Sequence, residues 1–595
     1  MQCDTALLPL RMGRADVKQR IVQISRELLA FATRSYGPLG RATLLQKSAR
    51  CADALVLTST SDRYLQHVNV GDCPIANVYF QILRSQLRSH SDAGLFLTLL
   101  STSLQLEIQE GTLSEILHQT VLRGLQLALQ WSLEYLDDDN CPVRVPIDWS
   151  NRASLRAIVR GILSTKSAAG LTEQTLEHTM IPMVIEAFVA LYDHIVRHPS
   201  EPLPVRFLYQ PGLKSISKSQ FWKNTLFLDF PWPRMCSQRR IVNAKLALFN
   251  ITIDPLRDEN GASGGDTTTE HSGSRKAFKL DALRAIGDTL HHLGVTAVAS
   301  QKIIPRYLQI YLSGKGVFVL DRLSINHIHA VQQLSGAVVL GDWQVQDIDH
   351  ASFGFLSLIT THDVDGKQYI RLHQEVLITA SSASTDRTSP VSTMLLATPD
   401  KFAFEELSYN IETGLKRLAV LAERPEGVAG AGCMEIHLAA FLHRKAELLQ
   451  PLATGKSVTP PPQEVRGLRQ LRQVVQAFAD CLLRVVTSLG ACPTKSASVQ
   501  MLEKLQSANH LGASDKAEAK GLDGTIELFG WSPLERKAVP AVRYSSAMAI
   551  DDEPQEKLVF QAHVLDSYHA KRDALVLAVE CTCSIARITS VVKIS

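Results

Sequence analysis

Residues 245–340 hold four short apolar runs: KLALFNITI (245–253), VTAVAS (295–300), GVFVL (316–320) and AVVL (337–340). Between the first two, Leu280, Leu283, Ile286, Leu290 and Leu293 recur every three or four residues, the spacing of one helix face. Further helices are expected around Tyr307–Tyr311 and up to Leu334. Strands alternating with helices at this spacing make βαβ units, which build a parallel sheet. After the first strand, DENGASGGDTTTEHSGS (258–274) is poor in apolar residues and rich in Gly, Ser and Thr, the composition of a flexible surface loop.

Outward on both sides the pattern becomes helical. Val17, Ile21, Ile24, Leu28 and Phe31 line one face of a helix that stops at Gly37-Pro38. Ala54 to Thr58 reads as a strand, Pro74 opens a helix, and Ser91-Asp92-Ala93-Gly94 breaks the chain before another. Thr112 with Glu115 has the form of a capping box, expected to open a long helix to about Tyr135. Helical stretches are expected at Ser154–Ile162 and Thr172–Tyr192, and the Pro-rich, aromatic run from Pro199 to Pro233 marks entry into a new domain. Beyond about residue 400 helices return, at Leu468–Leu489 and Val564–Ile588. Residues 454–464 are expected as a loop, 493–521 as a mobile polar insertion, and SVVKIS (590–595) as a closing strand. A helical domain that is left for an α/β domain and then re-entered is a nested architecture.

Composition narrows the function classes. The chain has 595 residues, 45% hydrophobic and 20% charged, which is ordinary for a globular protein of several domains. Its net charge of +3 is too balanced for a dedicated nucleic-acid binder. No transmembrane helix is expected, because no run of 18 apolar residues occurs; Leu95–Leu106 comes closest and carries Thr98, Ser101, Thr102 and Ser103. The N-terminus, with Asp4 and only Ala6-Leu7-Leu8 as an apolar stretch, does not read as a signal peptide. Ten scattered cysteines contain no C-x-x-C pair, so buried free thiols in a reducing compartment are the expectation.

Gly261-Ala262-Ser263-Gly264-Gly265 matches the G-x-S-x-G nucleophile elbow of hydrolases. That chemistry needs a turn directly between a buried strand and a helix, and this match sits inside a polar loop. His291-His292 and the pair His327 and His329 fall on predicted helices where their side chains diverge, with no further ligands beside them, so they read as ordinary helix histidines. More informative are three glycine-containing breaks between helices: YGPLGR (36–41), SDAGL (91–95) and AGAGC (429–433). Glycine lets backbone N–H groups approach a phosphate, and a helix N-terminus adds partial positive charge. Asp92 at a helix mouth is a candidate magnesium ligand. No Walker A motif is present.

In this order the three breaks resemble the equatorial domain of the group II chaperonins. YGPLGR stands where that family has L-G-P-K-G-M, SDAGL where it has G-D-G-T-T, and AGAGC followed by Glu435 where it has A-G-G-G-A. Gln476-Ala477-Phe478-Ala479-Asp480 and Val564–Ile588 are similar to two of its helices. The resemblance implies an α+β multidomain fold with a helical equatorial domain (1–145 and 405–595), a hinge-like intermediate domain (146–214 and 371–404) and an α/β apical domain (215–370). It also implies a vestigial nucleotide site made of Gly37, Pro38, Gly40, Asp92, Gly94, Gly430 and Gly432, with Asp92 toward magnesium, and leaves open whether ATP and Mg are bound.

The departures from the family are equally specific. Of G-D-G-T-T only the aspartate is kept, as Asp92; Thr58-Ser59-Thr60-Ser61 lacks the acidic residue of the family's T-N-D-G; and Tyr409 stands in the place of the hydrolytic aspartate. A tyrosine cannot act as a carboxylate base, so loss of ATP hydrolysis is expected and no catalytic residue is assigned. The 258–274 loop stands where active members carry a helical lid protrusion. Together with Gly432–Ala440 (GCMEIHLAA), these features resemble the divergent McKusick–Kaufman/Bardet–Biedl branch of chaperonin-like proteins. That branch implies a chaperone assisting assembly of the BBSome, a ciliary trafficking complex. Its expected partners are other Bardet–Biedl chaperonin-like proteins, the cytosolic group II chaperonin and BBSome subunits as clients, in the cytoplasm, the pericentriolar region of the centrosome and the ciliary basal body. The alternative is an ATP-dependent chaperonin subunit folding cytosolic clients. Monomers or mixed complexes are expected, because the divergent segments 454–464 and 493–521 oppose a homomeric ring.

Overall fold

The computed structural model describes residues 11–46, 55–68, 73–166, 169–198, 201–210, 215–236, 238–253, 272–342, 350–375, 391–449, 462–490, 494–511, 525–546 and 557–592. They form two compact units, one from Met1–Ile185 with Phe402–Ser595 and one from Glu186–Lys401. Residues 258–271, with Ser263 and the G-x-S-x-G match, lie outside the described residues, as do 450–461, 491–493 and 512–524.

The first unit is a helical bundle built around the helix Gly94–Gln109. Leu95, Phe96, Leu97, Leu99, Leu100 and Leu104 are buried on it, and so are Thr98, Ser101, Thr102, Ser103 and Gln105, so its polar stripe is covered as well. A helix with this many apolar side chains spread around its axis must be surrounded by protein or lipid. Here helices Arg14–Ser35, Pro74–His90, Pro462–Leu489 and Tyr568–Ala586 pack against it. Val17, Ile21, Ile24, Leu28 and Phe31 are all buried on Arg14–Ser35, as their spacing predicts.

Two local expectations fail in this unit. The helix expected to open at Thr112 begins at His118 and runs to Asp137. Thr112 instead gives its N–H and hydroxyl to the Glu107 carboxylate at 3.1 and 3.2 Å, which holds residues 110–117 in turns. The supposed insertion 493–521 contains the helix Lys495–Ala508, capped by the Thr494 hydroxyl. Asn509 then anchors it. Its amide accepts from the Phe529 N–H at 2.9 Å, donates to the Leu505 and Phe529 carbonyls, and lies 3.2 Å from His437 Nε2.

Among the described residues, four small antiparallel sheets complete the unit. Arg144–Pro146, Glu426–Ala429 and Leu565–Ser567 form one. Thr525–Ser532, Lys537–Ser546 and Lys557–Ala562 form a meander that the sequence reading passed over. Thr43–Gln46 pairs with Leu55–Thr58. Val591–Val592, inside the expected closing strand, pairs with Arg11–Met12.

The second unit centres on a seven-stranded sheet, ordered Phe318–Leu320, Ala297–Ser300, Arg240–Phe249, Gly354–Val364, Lys367–His373, Thr225–Leu228, with Val339–Leu340 also on Arg240–Phe249. The first three strands and Val339–Leu340 are parallel, as expected from the alternation, but the remainder is antiparallel. Gly354–Val364 already runs antiparallel to Arg240–Phe249, and Asp365-Gly366, both at positive φ, then close a tight hairpin to Lys367–His373. Alternate residues of each strand face opposite sides. Ala247, Phe249 and Val298 therefore pack under Leu283, Ile286, Leu290, Leu308 and Leu312, while Leu246, Leu248 and Ala297 pack under Ile328, Val331 and Leu334.

The helical stretch Glu173–Arg197 includes a π turn at Leu176–Met180 and is long and apolar enough to cross a membrane, so Leu95–Leu106 is not the nearest candidate. Half of its most apolar window is buried within the protein, including Met180, Val184, Phe188 and Leu191. All the described cysteines are free thiols, every one buried except the part-buried Cys236.

Two measurements test this packing. Gly124 faces helix Pro462–Leu489 so closely that an added Cβ would sit 2.7 Å from Val474. Gly→Ala in a free helix is stabilising by ~1 kcal/mol, but overpacking costs about 1–3 kcal/mol. Gly124→Ala should therefore lower the urea midpoint, the opposite sign to an exposed helical glycine. Burial pushes the His437 imidazole down to about 4, so it is neutral in the folded chain at pH 7. The unfolded chain takes up that proton near pH 6.5. This contribution is complete above pH 6.5 and is lost as pH falls toward 4, by about 3 kcal/mol in all. Chemical denaturation across that range should show a shallower acid loss for His437→Gln.

Candidate functional site

The three glycine breaks meet around one cavity of about 620 Å³ in the first unit. Gly37, Pro38, Asp92, Gly94 and Gly432 line it, together with Lys166, Arg417, Asp566 and Lys571. Gly40 and Gly430 do not. Gly40 donates its N–H to the Gly37 carbonyl at 3.0 Å and shapes the turn from behind. Gly430 bonds the Val564 carbonyl at 3.1 Å, next to the strand pairing of Glu426–Ala429 with Leu565–Ser567.

Two helices begin at the cavity wall. Ser91 and Ala93 both adopt left-handed backbone conformations, which turn the chain sharply into Gly94–Gln109. No side chain caps that helix, so the N–H groups of its first turn have no intrahelical acceptor. Gly432, at φ 82°, leads into Cys433–Leu448, also without a side-chain cap. A Cβ at Gly432 would sit 3.1 Å from both Leu489 and Val486, and its backbone conformation disfavours other residues.

The charged groups are paired in a pattern the sequence did not disclose. The Asp92 carboxylate accepts the Ala93 N–H at 2.7 Å and meets Arg417 Nη1 at 3.1 Å with the same oxygen. Arg417 also donates to the Ser91 carbonyl. Lys166, 9% exposed, lines the cavity and makes no ion pair with any described residue. Burial and the neighbouring Arg417 push its ammonium down to about 8. On another wall Lys571 bonds Glu435 at 2.6 Å and Asp566 at 3.4 Å. Burial alone would lower the Lys571 pKa; Glu435, Tyr36 and Asp566 outweigh it and hold the ammonium well above its usual value.

Tyr409 stands in an adjoining cavity of about 170 Å³, not in the main one. Its phenol donates to Asp62, and burial with that carboxylate raises its pKa. Thr413 lies one turn further along helix Lys401–Glu423 and Arg417 one turn beyond that, and Glu412, Lys416 and Asp62 line the same cavity. The neighbouring carboxylates are committed elsewhere. Glu406, fully buried, meets Arg63 at 2.7 Å and accepts the Ser59 N–H at 2.9 Å and its hydroxyl at 3.1 Å. Glu405 lies 3.7 Å from Arg63, and Glu412 pairs with Lys416 at 2.9 Å. The Thr58–Ser61 run, short of its acidic residue, is thus the cradle of Glu406.

The residues at Asp92 do not fit a magnesium ion. The oxygen that would ligate it already faces a guanidinium, and among the described residues no three His, Cys, Asp or Glu side chains converge. His291, His292, His327 and His329 likewise belong to no such group. The sequence reading missed Arg417, Lys166, Glu406 and Lys571, which come from helices and turns far apart in the chain. Removing one partner of a buried ion pair strands the other, at about 3–5 kcal/mol. Glu406→Ala should lower unfolding stability by that amount, and Glu406→Ala with Arg63→Met should recover part of it in the same denaturation experiment.

Comparison with known proteins agrees with this arrangement. Residues 28–595 match the TCP-1/cpn60 chaperonin family. The molecular chaperone MKKS of Homo sapiens is 25% identical over 468 residues, covering 78% of this chain and 76% of that protein. MKKS of Mus musculus is 23% identical, covering 69% and 68%. Thermosome subunit alpha of Aeropyrum pernix is 24% identical over 527 residues, covering 87% and 85%. A family match across nearly the whole chain, with its glycine breaks gathered at one cavity, makes this protein a member of the TCP-1/cpn60 chaperonin family.

Proposed function

We propose that this chain is a chaperone that holds and assembles clients without hydrolysing ATP. The observation that carries the reading is the stretch of Lys401–Glu423 that lines the cavities, where Tyr409, Thr413 and Arg417 stand and the carboxylate, Glu412, is paired with Lys416 at 2.9 Å, while Asp62 beside it accepts the Tyr409 phenol. In-line attack of water on a phosphate needs a carboxylate or an equivalent group to orient it. Glu405, Glu406 and Glu412 are each engaged with a cation. The likeness to proteins called molecular chaperone MKKS supports the chaperone part of the reading.

The finer assignment extends the same reading. The chain assists assembly of the BBSome, alongside other Bardet–Biedl chaperonin-like proteins and the cytosolic group II chaperonin, near the centrosome and ciliary basal body. It has equatorial, intermediate and apical domains and no helical lid; the composition of 258–274, too polar for an apolar-faced helix pair, supports that absence.

The purified chain should release phosphate from MgATP no faster than a heat-denatured control. It should suppress aggregation of a chemically unfolded protein equally with and without ATP, and it should co-purify with BBSome subunits from ciliated cells. Magnesium-dependent turnover that disappears in Asp92→Ala would replace this reading with an ATP-driven chaperonin subunit.

A further inference from the structure

Helix Ile181–Arg197 is more apolar than its own packing requires. Ala187, Phe188, Leu191, His194 and Ile195 turn into the protein and are buried. Beside them Val189, Tyr192 and Val196 remain 65%, 42% and 42% exposed. Their spacing of three and then four residues sets them in one row, over about 10 Å of the helix axis. Tyr192 leans edge-on against Phe188, with ring centroids 5.7 Å apart, so its ring is held in place within the row. Single exposed apolar residues are ordinary, whereas a contiguous row of large ones marks an interaction surface. The row also has a charged flank. Glu186 stands three residues before Val189 and Asp193 three before Val196, so both carboxylates lie along the same side of it. Both are exposed, and neither bonds or pairs with any described residue. Arg197 follows Val196 at the end of the helix.

We propose that Val189, Tyr192 and Val196 dock an amphipathic helix of a partner protein, with Lys or Arg along the flank that meets Glu186 and Asp193. Anchors at i, i+3 and i+7 are the pattern by which one helix receives another, each apolar side chain entering a gap on the facing helix. The two unpaired carboxylates then select the partner: basic residues opposite them are attracted, and acidic ones are repelled. The same carboxylates argue against other occupants. A second copy of this chain packed antiparallel about a two-fold axis would bring the two acidic flanks together. Packed parallel, it would set them against the apolar side of the row at Phe188 and Ile195. An anionic lipid surface would be repelled by them as well. Client holding has to accept unfolded segments of any register, whereas this row recognises a formed helix. The inference goes beyond the chaperone function and does not depend on it.

The probes are two stapled helical peptides with leucine at the i, i+3 and i+7 positions and either lysine or glutamate along the flank. Their binding to the purified full chain is read by fluorescence anisotropy. The lysine peptide should bind, and the glutamate peptide at least tenfold more weakly. Val189→Ser with Tyr192→Ser should weaken the lysine peptide at least tenfold. Glu186→Lys with Asp193→Lys, both at exposed positions, should reverse the order of the two peptides. A misfolded chain or a nonspecific basic probe would not produce that reversal. Equal binding of both peptides, no binding, or an order unchanged by the charge reversal would overturn the proposal. So would a dimer in sedimentation velocity, or pelleting with phosphatidylserine vesicles, that is abolished by the two serine substitutions. Suppression of client aggregation should be the same in the serine variant as in the parent, and its loss there would assign the row to clients and overturn the proposal. A parent chain that suppresses no aggregation but binds the lysine peptide would sink the chaperone reading and leave this one intact.

Discussion

The burial of helix Gly94–Gln109 on every side is the constraint from which the first unit follows. Each of its large apolar side chains contributes roughly 1.5–3 kcal/mol when taken from water, and six of them, Leu95, Phe96, Leu97, Leu99, Leu100 and Leu104, are buried. No arrangement that leaves one face wet could compete with that. Helices from both chain ends are therefore drawn around it, and its first turn is delivered to a fixed place. The Tyr36–Pro38 turn, the Ala431–Gly432 turn and Lys571 arrive there because the elements that carry them pack with or beside the same helix. The cavity is a consequence of apolar packing, and the charges are arranged afterwards within it.

Those charges are mostly spent on one another. Glu406 with Arg63, Lys571 with Glu435 and Asp92 with Arg417 each close a pair inside or beside the cavity. Buried pairs contribute little net stability, because desolvation consumes much of the Coulomb gain. What they supply is register. Glu406 ties helix Lys401–Glu423 to the turn after strand Leu55–Thr58, and Arg417 ties the same helix to the turn before Gly94. A helix held at two points by ion pairs has little freedom to advance a catalytic group toward a ligand, which fits a site that binds rather than turns over.

How much of this could be read beforehand depended on whether the signal was local. The periodicity of Val17 to Phe31, the Ser91–Gly94 break and the β-rich runs of 245–340 are decided within a few residues of chain, and each is found in the structure. The Thr112–Glu115 pattern was also local and still misled, because Glu107 captured Thr112 first. The Asp365-Gly366 hairpin could have been found from its turn chemistry alone. Arg417 and Lys166 could not, since nothing near either residue marks it. Their meaning comes from a carboxylate 325 positions away in one case and a missing partner in the other.

The interleaving of the two units has a consequence for synthesis. Helix Gly94–Gln109 emerges early, yet its neighbour Tyr568–Ala586 follows roughly 450 residues later, a delay on the order of half a minute or more at ~5–20 residues per second. Meanwhile the unit Glu186–Lys401, whose strands and helices are contiguous in the chain, can close its own core. The helix thus has Arg14–Ser35 and Pro74–His90 beside it from the start, but lacks the part of its lining that Pro462–Leu489 and Tyr568–Ala586 supply until synthesis is nearly complete. The nascent chain of a chaperone is in this respect a demanding client for others, and its yield in a cell should follow the supply of factors that shield apolar segments on the ribosome.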